Sequence, residues 1–241
     1  MPHVRAIDLG IRFEFDRQGR PMTAAMARVR RRSTHSWGLR GVTVEVASGE
    51  SVALIGPNGA GKTTFLRALA GVYAPDEGRV EVAGRIGSLL AVRAGLLPPL
   101  TGRENAVLLG VLAGLTRADA RRAVPAVAER ARLGDAFDRP ASSYSMGMSA
   151  RLGLAVAEQA RPEVLLLDEV HEALDAESRG WLLSIAGSIV AGGGVVVAAG
   201  HDLSELRALC RRAVVFGGGS VRADGPFDEI VERDRPAAAA S

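Results

Sequence analysis

The residues best suited to chemistry stand together in Gly56-Pro57-Asn58-Gly59-Ala60-Gly61-Lys62-Thr63-Thr64, directly after the apolar run Ala53-Leu54-Ile55. Two glycines flank four residues, and a lysine and a hydroxyl follow at once. That spacing lets bare backbone N–H groups wrap a β/γ-phosphate, with Lys62 as the point charge and the Thr63 hydroxyl as a Mg²⁺ ligand. A helix starting near Gly61 and running through Phe65-Leu66-Arg67-Ala68-Leu69 adds the partial positive charge of its N-terminus on the same side. Lys62 is the only lysine among thirty basic residues. The one departure from arginine falls where a bound phosphate calls for an ammonium, and the stretch reads as a P-loop.

Two further groups fit the same chemistry. The apolar run Val164-Leu165-Leu166-Leu167 ends in Asp168-Glu169. A carboxylate at the C-terminal end of a buried strand can hold Mg²⁺, directly or through water, and the next can polarise an attacking water. His201 follows Val195-Val196-Val197-Ala198-Ala199. It therefore sits at the end of the next expected strand, on the same sheet edge as the P-loop, where it can reach a γ-phosphate.

These residues need a parallel sheet to hold them, and the chain alternates accordingly. Strands are expected over 51–56, 164–168, 195–199 and 213–216, with helices over 176–191 and 202–210, which is the βαβ order of a parallel sheet. Upstream, residues 4–15 alternate loosely as an opening strand, and 16–36 read as a loop or short irregular insertion. Leu39, Val42, Val44 and Val46 then close a small antiparallel sheet against the first strand, and 79–84 form another alternating strand. Between 95 and 161 the pattern turns helical: Thr101-Gly102-Arg103-Glu104 opens one helix, Thr116-Arg117-Ala118-Asp119 caps a second, and a third begins near Gly147. The expected fold is α/β: a P-loop NTPase core with a mixed sheet, an N-terminal antiparallel β subdomain and a helical lobe inserted over about 95–161. Residues 1–235 read as one domain, and the low-complexity tail 236–241 reads as disordered.

Composition narrows the function classes. A chain of 241 residues holds one large α/β domain, with or without a smaller lobe. The net charge of +3 and pI near 9.7 come from arginines and carboxylates that alternate along the chain, which describes a mixed solvated surface and no nucleic-acid partner. The run Arg28-Val29-Arg30-Arg31-Arg32 is the exception, either an exposed loop or a contact for anionic lipid headgroups or a partner's acidic loop. A lone Cys210 excludes an internal disulfide and any multi-cysteine metal site, and points to a reducing compartment. No secretory signal run opens the chain. The longest apolar stretch, from Ile189 to Gly200, is broken by three glycines and falls short of the ~20 residues of a spanning helix.

In this order the motifs resemble the ATP-binding subunit of an ABC transporter. Tyr144-Ser145-Met146-Gly147-Met148, with Arg151 after it, is similar to the signature motif of that family. The resemblance implies that Ser145 and Gly147 contact the γ-phosphate of ATP held by the other subunit of a head-to-tail homodimer; a glycine near a helix N-terminus suits an anion there. Ala173-Leu174-Asp175 resembles the D-loop and His201-Asp202 the switch histidine. The resemblance covers residues from about 4 to 230. It implies ATP and Mg²⁺ as ligands: Lys62 and the loop amides on phosphate, Thr63 and Asp168 on Mg²⁺, Glu169 on water, and His201 beside the γ-phosphate. The aromatic residue that stacks on adenine matches Phe13 best, with Phe15 and Trp37 as rivals and core packing as an equal reading for each.

A narrower resemblance, to the polysaccharide-exporting subfamily, rests on Pro98-Pro99-Leu100-Thr101-Gly102-Arg103-Glu104-Asn105, on the Tyr-Ser-x-Gly-Met form of the signature, and on Asp168-Glu169-Val170 and Leu209-Cys210-Arg211-Arg212-Ala213. It implies a separate multi-spanning membrane subunit that handles most of the glycan, and a peripheral place on the cytoplasmic face of the membrane. Some members add a C-terminal carbohydrate-binding domain, for which the remaining residues are too few. The alternative is a soluble ABC-type ATPase acting on ribosomes or DNA, a class that usually fuses two ATPase units or inserts long coiled coils. A non-catalytic regulatory binder is disfavoured by Glu169.

One family position departs from the pattern. The loop ahead of the helical lobe normally carries a glutamine or glutamate, and the match falls on Ala91, whose methyl group can neither ligate a metal nor hydrogen-bond to water. His171, beside the D-loop, reads as a solvated helix-start residue. Restoring the missing ligand, as Ala91→Gln, is expected to raise kcat about tenfold, or about 1.4 kcal/mol of barrier. Turnover at saturating Mg-ATP checks this; an unchanged or lower rate would mean that another group fills the place.

Overall fold

Valine, leucine and alanine at consecutive positions make three short strands, Ser51–Ile55 (β4), Val164–Asp168 (β7) and Val195–Ala199 (β8), buried on both faces, as parallel strands covered by helices must be. The computed structural model describes residues 1–15, 21–22, 34–90, 96–169 and 174–233. The three strands lie in the middle of a six-stranded sheet, in the order β4-β8-β7. Ile86–Leu90 (β6) forms one edge; Arg212–Gly217 (β9) and Ser220–Pro226 (β10) complete the other. All neighbours are parallel except the β9/β10 hairpin. Leu54 lies level with Ala199, and Ala199 with Asp168, so the chain leaves β4, β7 and β8 along a single edge.

A second, antiparallel sheet covers one face. His3–Phe15 (β1) pairs with Thr34–Val46 (β3) along one side and with Glu77–Ala83 (β5) and Pro21–Met22 (β2) along the other. Between the sheets lie Leu9, Ile11, Leu39 and Val42 from above, Val52, Leu54, Val197 and Phe216 from below, and Phe65, Leu66 and Leu69 of the helix Lys62–Leu69 (α1). Phe65 meets Phe216 at 5.3 Å between ring centroids, seating α1 on the sheet.

Three helices intervene between β6 and β7: Gly102–Leu112 (α2), Arg117–Ala131 (α3) and Met146–Ala160 (α4). Because β6 and β7 are sheet neighbours, this whole helical lobe is an insertion. The far face of the six-stranded sheet, with Ala53, Ile55, Leu165, Leu167, Val196 and Ala198, packs on α4 and on Ala176–Ala191 (α5), Leu203–Leu209 (α6) and Phe227–Arg233 (α7). Cys210 is buried in this layer, and burial pushes its thiol up to about 12, which leaves it unreactive. Among the described residues no helix is long and apolar enough to cross a membrane.

The expected strands and helices are present, with four additions. The stretch expected as a loop over 16–36 carries strand residues at Pro21–Met22 and from Thr34 onward, because β1 continues to pair through Phe15↔Thr34 although Thr34-His35-Ser36 is polar. β6 was not expected, since its residues do not alternate. β10 contains Asp224-Gly225-Pro226, which reads as a turn, and an edge strand tolerates such a proline. α7 follows it without a helix signal. The tail beyond 233 and the run Arg28–Arg32 lie outside the described residues.

The lobe begins on a built cap. Thr101 accepts from Glu104 N, and Glu104 reaches back to Thr101 N at 2.8 Å, a reciprocal capping box. Behind it Asn105 is fully buried: its Oδ1 accepts from Leu97 N at 2.8 Å, and its Nδ2 donates to the carbonyls of Leu97, Leu100 and Thr101. One amide thus satisfies the backbone of the loop entering the lobe. Asn105→Ala leaves the Leu97 N–H without its acceptor, while the three carbonyls keep backbone donors, and is expected to destabilise by about 1–3 kcal/mol. Chemical denaturation reads the loss, and faster amide exchange at residues 97–105 localises it.

Candidate nucleotide site

The P-loop geometry begins with β4, which ends at the sheet edge and delivers Gly56. Gly56 has φ of 139°, and a Cβ there would stand 2.2 Å from the Phe216 carbonyl oxygen, so only glycine fits. Gly61 has φ of 109°, and its Cβ would fall 2.6 Å from Leu39. Pro57, Asn58 and Gly59 form the open rim of the loop, while Ala60 is buried and its carbonyl accepts from Gly219 N. α1 begins with no side-chain cap, so its first-turn N–H groups are left to an anion, while the Ala60 N–H is used within the loop, donating to Pro57 O at 3.1 Å. Thr64, in the first turn, is half-buried.

Lys62 is 6% exposed and Asp168 7%. The Lys62 ammonium donates to Gly56 O at 2.6 Å and to Pro57 O at 3.2 Å. Burial pulls its pKa below the ordinary lysine value, against the charges of Glu169 and Asp168. Burial pushes the Asp168 carboxyl above its ordinary range; a hydrogen bond from the Thr63 hydroxyl opposes this, Glu169 adds to it, and Arg67 and Lys62 oppose it. Thr63 and Asp168 are therefore in contact, a hydroxyl and a carboxylate forming the hard-oxygen pair that Mg²⁺ accepts while keeping its waters. The glycine-lined loop and this donor pair fit a Mg-nucleotide.

Glu169 follows at φ of 51°, a left-handed conformation that costs a non-glycine residue on the order of 1 kcal/mol. Its N–H donates to Ala199 O at 3.0 Å, and its Oε1 lies 2.6 Å from His201 Nε2. Just beyond, Asp202 caps α6, accepting from Ser204 N and Glu205 N, which fixes where the chain leaves β8. Residues 170–173, with His171 and Ala173 of the expected D-loop, lie outside the described residues, as does Ala91.

The signature residues stand apart from this cluster. Ser145 caps α4, accepting from Met148 N at 3.2 Å. Tyr144 is buried beneath it, its hydroxyl donating to Ala136 O at 2.8 Å. Ser145 is exposed and Gly147 half-exposed, and among the described residues no hydrogen bond joins either to the P-loop, Asp168, Glu169 or His201. Asp175 caps α5 through Ser178 N at 2.8 Å and faces Arg151 at 3.6 Å.

Phe13 and Trp37 point differently. The Phe13 ring lies against Gly38 and makes an edge contact with Tyr73 at 5.5 Å, and the Gly38 carbonyl borders Gly61. Trp37 lies instead beside the guanidinium groups of Arg12 and Arg40, 5.9 and 5.2 Å from its ring centroid. The side chain of Phe15 lies outside the described residues. Sequence reading passed over Arg67, although its position four residues after Thr63 places it on the same helix face and its charge acts on Asp168.

Because the folded protein raises the Asp168 pKa, the ionised form costs stability. That cost is absent below the ordinary carboxylate range, grows as pH rises through the raised value, and is complete at neutral pH. Asp168→Asn keeps an acceptor for Thr63. In metal- and nucleotide-free protein it is expected to raise the denaturation midpoint at neutral pH, with the gain fading as pH falls toward the ordinary carboxylate range. A midpoint at or below wild type at neutral pH would show that Lys62 and Arg67 already cover the burial cost.

Comparison with known proteins agrees with this geometry. A family model described as ABC transporter matches residues 39–172, more than half of the chain. The O-antigen export system ATP-binding protein RfbB of Klebsiella pneumoniae is 36% identical over 79% of this chain and 78% of its own. The teichoic acids export ATP-binding protein TagH of Listeria innocua is 33% identical over 82% of this chain, and the O-antigen export ATP-binding protein of Myxococcus xanthus is 34% identical over 83% of it. This chain spans 58% of the Listeria relative and 46% of the Myxococcus one. A dimeric ATP-binding cassette solved in a post-hydrolysis state with ADP and Pi has a TM-score of 0.73, covering 93% of this chain and 98% of its own at 21% identity. An ATP-binding subunit of an ABC transporter gives a TM-score of 0.71 at 24% identity, covering 99% of this chain and 95% of its own; at these identities the likeness speaks for the fold. With the P-loop, the paired carboxylates and the histidine on one sheet edge and a helical lobe inserted beside them, the chain belongs to the ABC transporter family.

Proposed function

We propose that this chain is the ATP-hydrolysing subunit of an ABC transporter that exports a polysaccharide or lipid-linked glycan, with residues 1–235 forming one such domain. It works as a head-to-tail homodimer on the cytoplasmic face of the membrane, docked on a separate multi-spanning subunit that handles the glycan. The observation that carries the reading is the division of the site. Lys62, Thr63, Asp168, Glu169 and His201 converge on the sheet edge, whereas Ser145 and Gly147 stand on the lobe and make no hydrogen bond to them. Two copies facing head to tail would each complete the other's site. The export names of relatives at 33–36% identity favour this over an ATPase acting on ribosomes or DNA.

Each residue then has a task. The loop amides and Lys62 hold the β- and γ-phosphates, and Phe13, beside Gly38, stacks on adenine in preference to Trp37. Thr63 and Asp168 hold Mg²⁺, which when bound neutralises charge on the phosphate oxygens. Glu169 accepts a proton from water as it attacks, and His201, hydrogen-bonded to Glu169, presents its imidazole beside the γ-phosphate. The partner's Ser145 and the partner's Gly147 supply a hydroxyl and a helix N-terminus to the same phosphate. Asp175 holds the start of α5 next to the interface.

Glu169→Gln removes the carboxylate acting on water and keeps the phosphate and metal contacts. It is expected to abolish turnover while ATP stays bound and a dimer accumulates, which size-exclusion chromatography in Mg-ATP reads directly. A monomer that still hydrolyses ATP would sink both the base and the dimer. Lys62→Ala acts earlier, weakening nucleotide binding itself.

A further inference from the structure

The signature serine is carried by the lobe and the catalytic carboxylate by the core, so something must set the angle between the two. Trp181 of α5 packs against both the core layer and the separate apolar cluster of the lobe. Its indole Nε1 donates to Glu158 Oε1 of α4 at 2.9 Å. Arg130 of α3 pairs with both oxygens of Glu158, at 2.9 and 3.1 Å, and its guanidinium lies 4.6 Å above the Trp181 ring. Three helices, two from the lobe and one from the core, thus meet in one interlocked group. Nearby the lobe and core part around a cleft of about 360 Å³ lined by Arg130, Arg132, Arg151, Glu177, Ser178 and Trp181. The other polar crossings there are Arg132–Glu177, a 2.6 Å pair with both side chains largely exposed, and Arg151, which stands 3.6 Å from Asp175.

We infer that the Trp181–Glu158–Arg130 joint is a positioning device that fixes the lobe's orientation and so places Ser145 for the nucleotide of the second copy. The inference rests on the head-to-tail dimer proposed above. α4 also touches the core through Ala150 and Leu154, a contact that is non-directional. A bidentate guanidinium–carboxylate pair with an indole donor on the same carboxylate has one geometry. Glu158 is thirteen residues from Ser145, a lever of ~20 Å at 1.5 Å per residue. A tilt of about 5° at the joint therefore moves Ser145 by roughly 2 Å, more than the ~0.5 Å tolerance of a working site. The P-loop, wholly in the core, is untouched by such a tilt.

The test uses the Glu169→Gln chain and measures two quantities: Mg-ATP affinity of the dilute monomer, and the ATP concentration giving half-maximal dimer. Trp181→Phe keeps the ring and removes the donor; it is expected to raise the dimer midpoint about fivefold with monomer affinity unchanged, and Glu158→Ala to raise it more. Glu158→Gln, which keeps an acceptor for the indole, is expected to fall between. Val124→Ala, a cavity in the lobe core away from the joint, serves as the stability control and should leave the midpoint in place. Midpoints equal to the parent, or a Val124→Ala shift as large as that of Trp181→Phe, would overturn the joint while the dimer reading stands. A parent that does not dimerise in ATP overturns the dimer reading and the joint with it.

Discussion

The burial of two opposite charges at the end of an apolar sheet governs the rest of this structure. Lys62 and Asp168 are each more than nine-tenths buried, and burial works against the charged form of both. Such groups persist only where hydrogen bonds and neighbouring charge compensate the desolvation. Here the compensation is local: loop carbonyls for the ammonium, the Thr63 hydroxyl for the carboxylate, and Arg67 behind it. The close approach of Gly56 to Phe216 and the seating of Phe65 on the same residue hold that compensation in place. The apolar layers on either side can be read as the support that a polar, partly unsatisfied edge requires.

The same division separates what is rigid from what must be set. The core elements that carry the carboxylates and the P-loop share strand hydrogen bonds, so their relative positions follow from register alone. Among the described residues the lobe has no strand in common with them. Its cap, its buried Asn105 and its own apolar cluster make it a unit, and its relation to the core passes through α4 and the first turns of α5. Directional contacts gather there: the Trp181–Glu158 hydrogen bond, the Arg132–Glu177 pair and the approach of Arg151 to Asp175.

Much of this was legible in the amino-acid sequence, and the reasons differ by element. The P-loop was readable because a loop wrapped on phosphate needs glycine at fixed places. β4, β7 and β8 were readable because burial on both faces demands an unbroken apolar run. The first two lobe helices were readable at their starts because Thr101 and Thr116 are caps, a local signal; in the sequence the third begins near Gly147, and its cap, Ser145, reads only as part of the signature. β10 was hidden because an edge strand can carry Asp-Gly-Pro, and β6 because five residues with no alternation do not declare a strand. The ends of β1 and β3 were hidden because their pairing, not their composition, makes them strands. The Trp181–Glu158–Arg130 group had no signal in spacing, since its members come from three helices brought together only by packing.

Glu169 and His201 show how the sheet edge brings two side chains together. The left-handed turn at Glu169 directs its N–H to Ala199 O, binding the residue after β7 to the last residue of β8. Two residues beyond Ala199 the chain presents His201, held from the other side by the Asp202 cap. The 2.6 Å contact between the two side chains is therefore set by a backbone hydrogen bond and a helix cap, each anchored in the sheet. A local strain of on the order of 1 kcal/mol at Glu169 is the counterpart of that arrangement, because a relaxed extended backbone there would carry the carboxylate along the strand direction and away from the histidine.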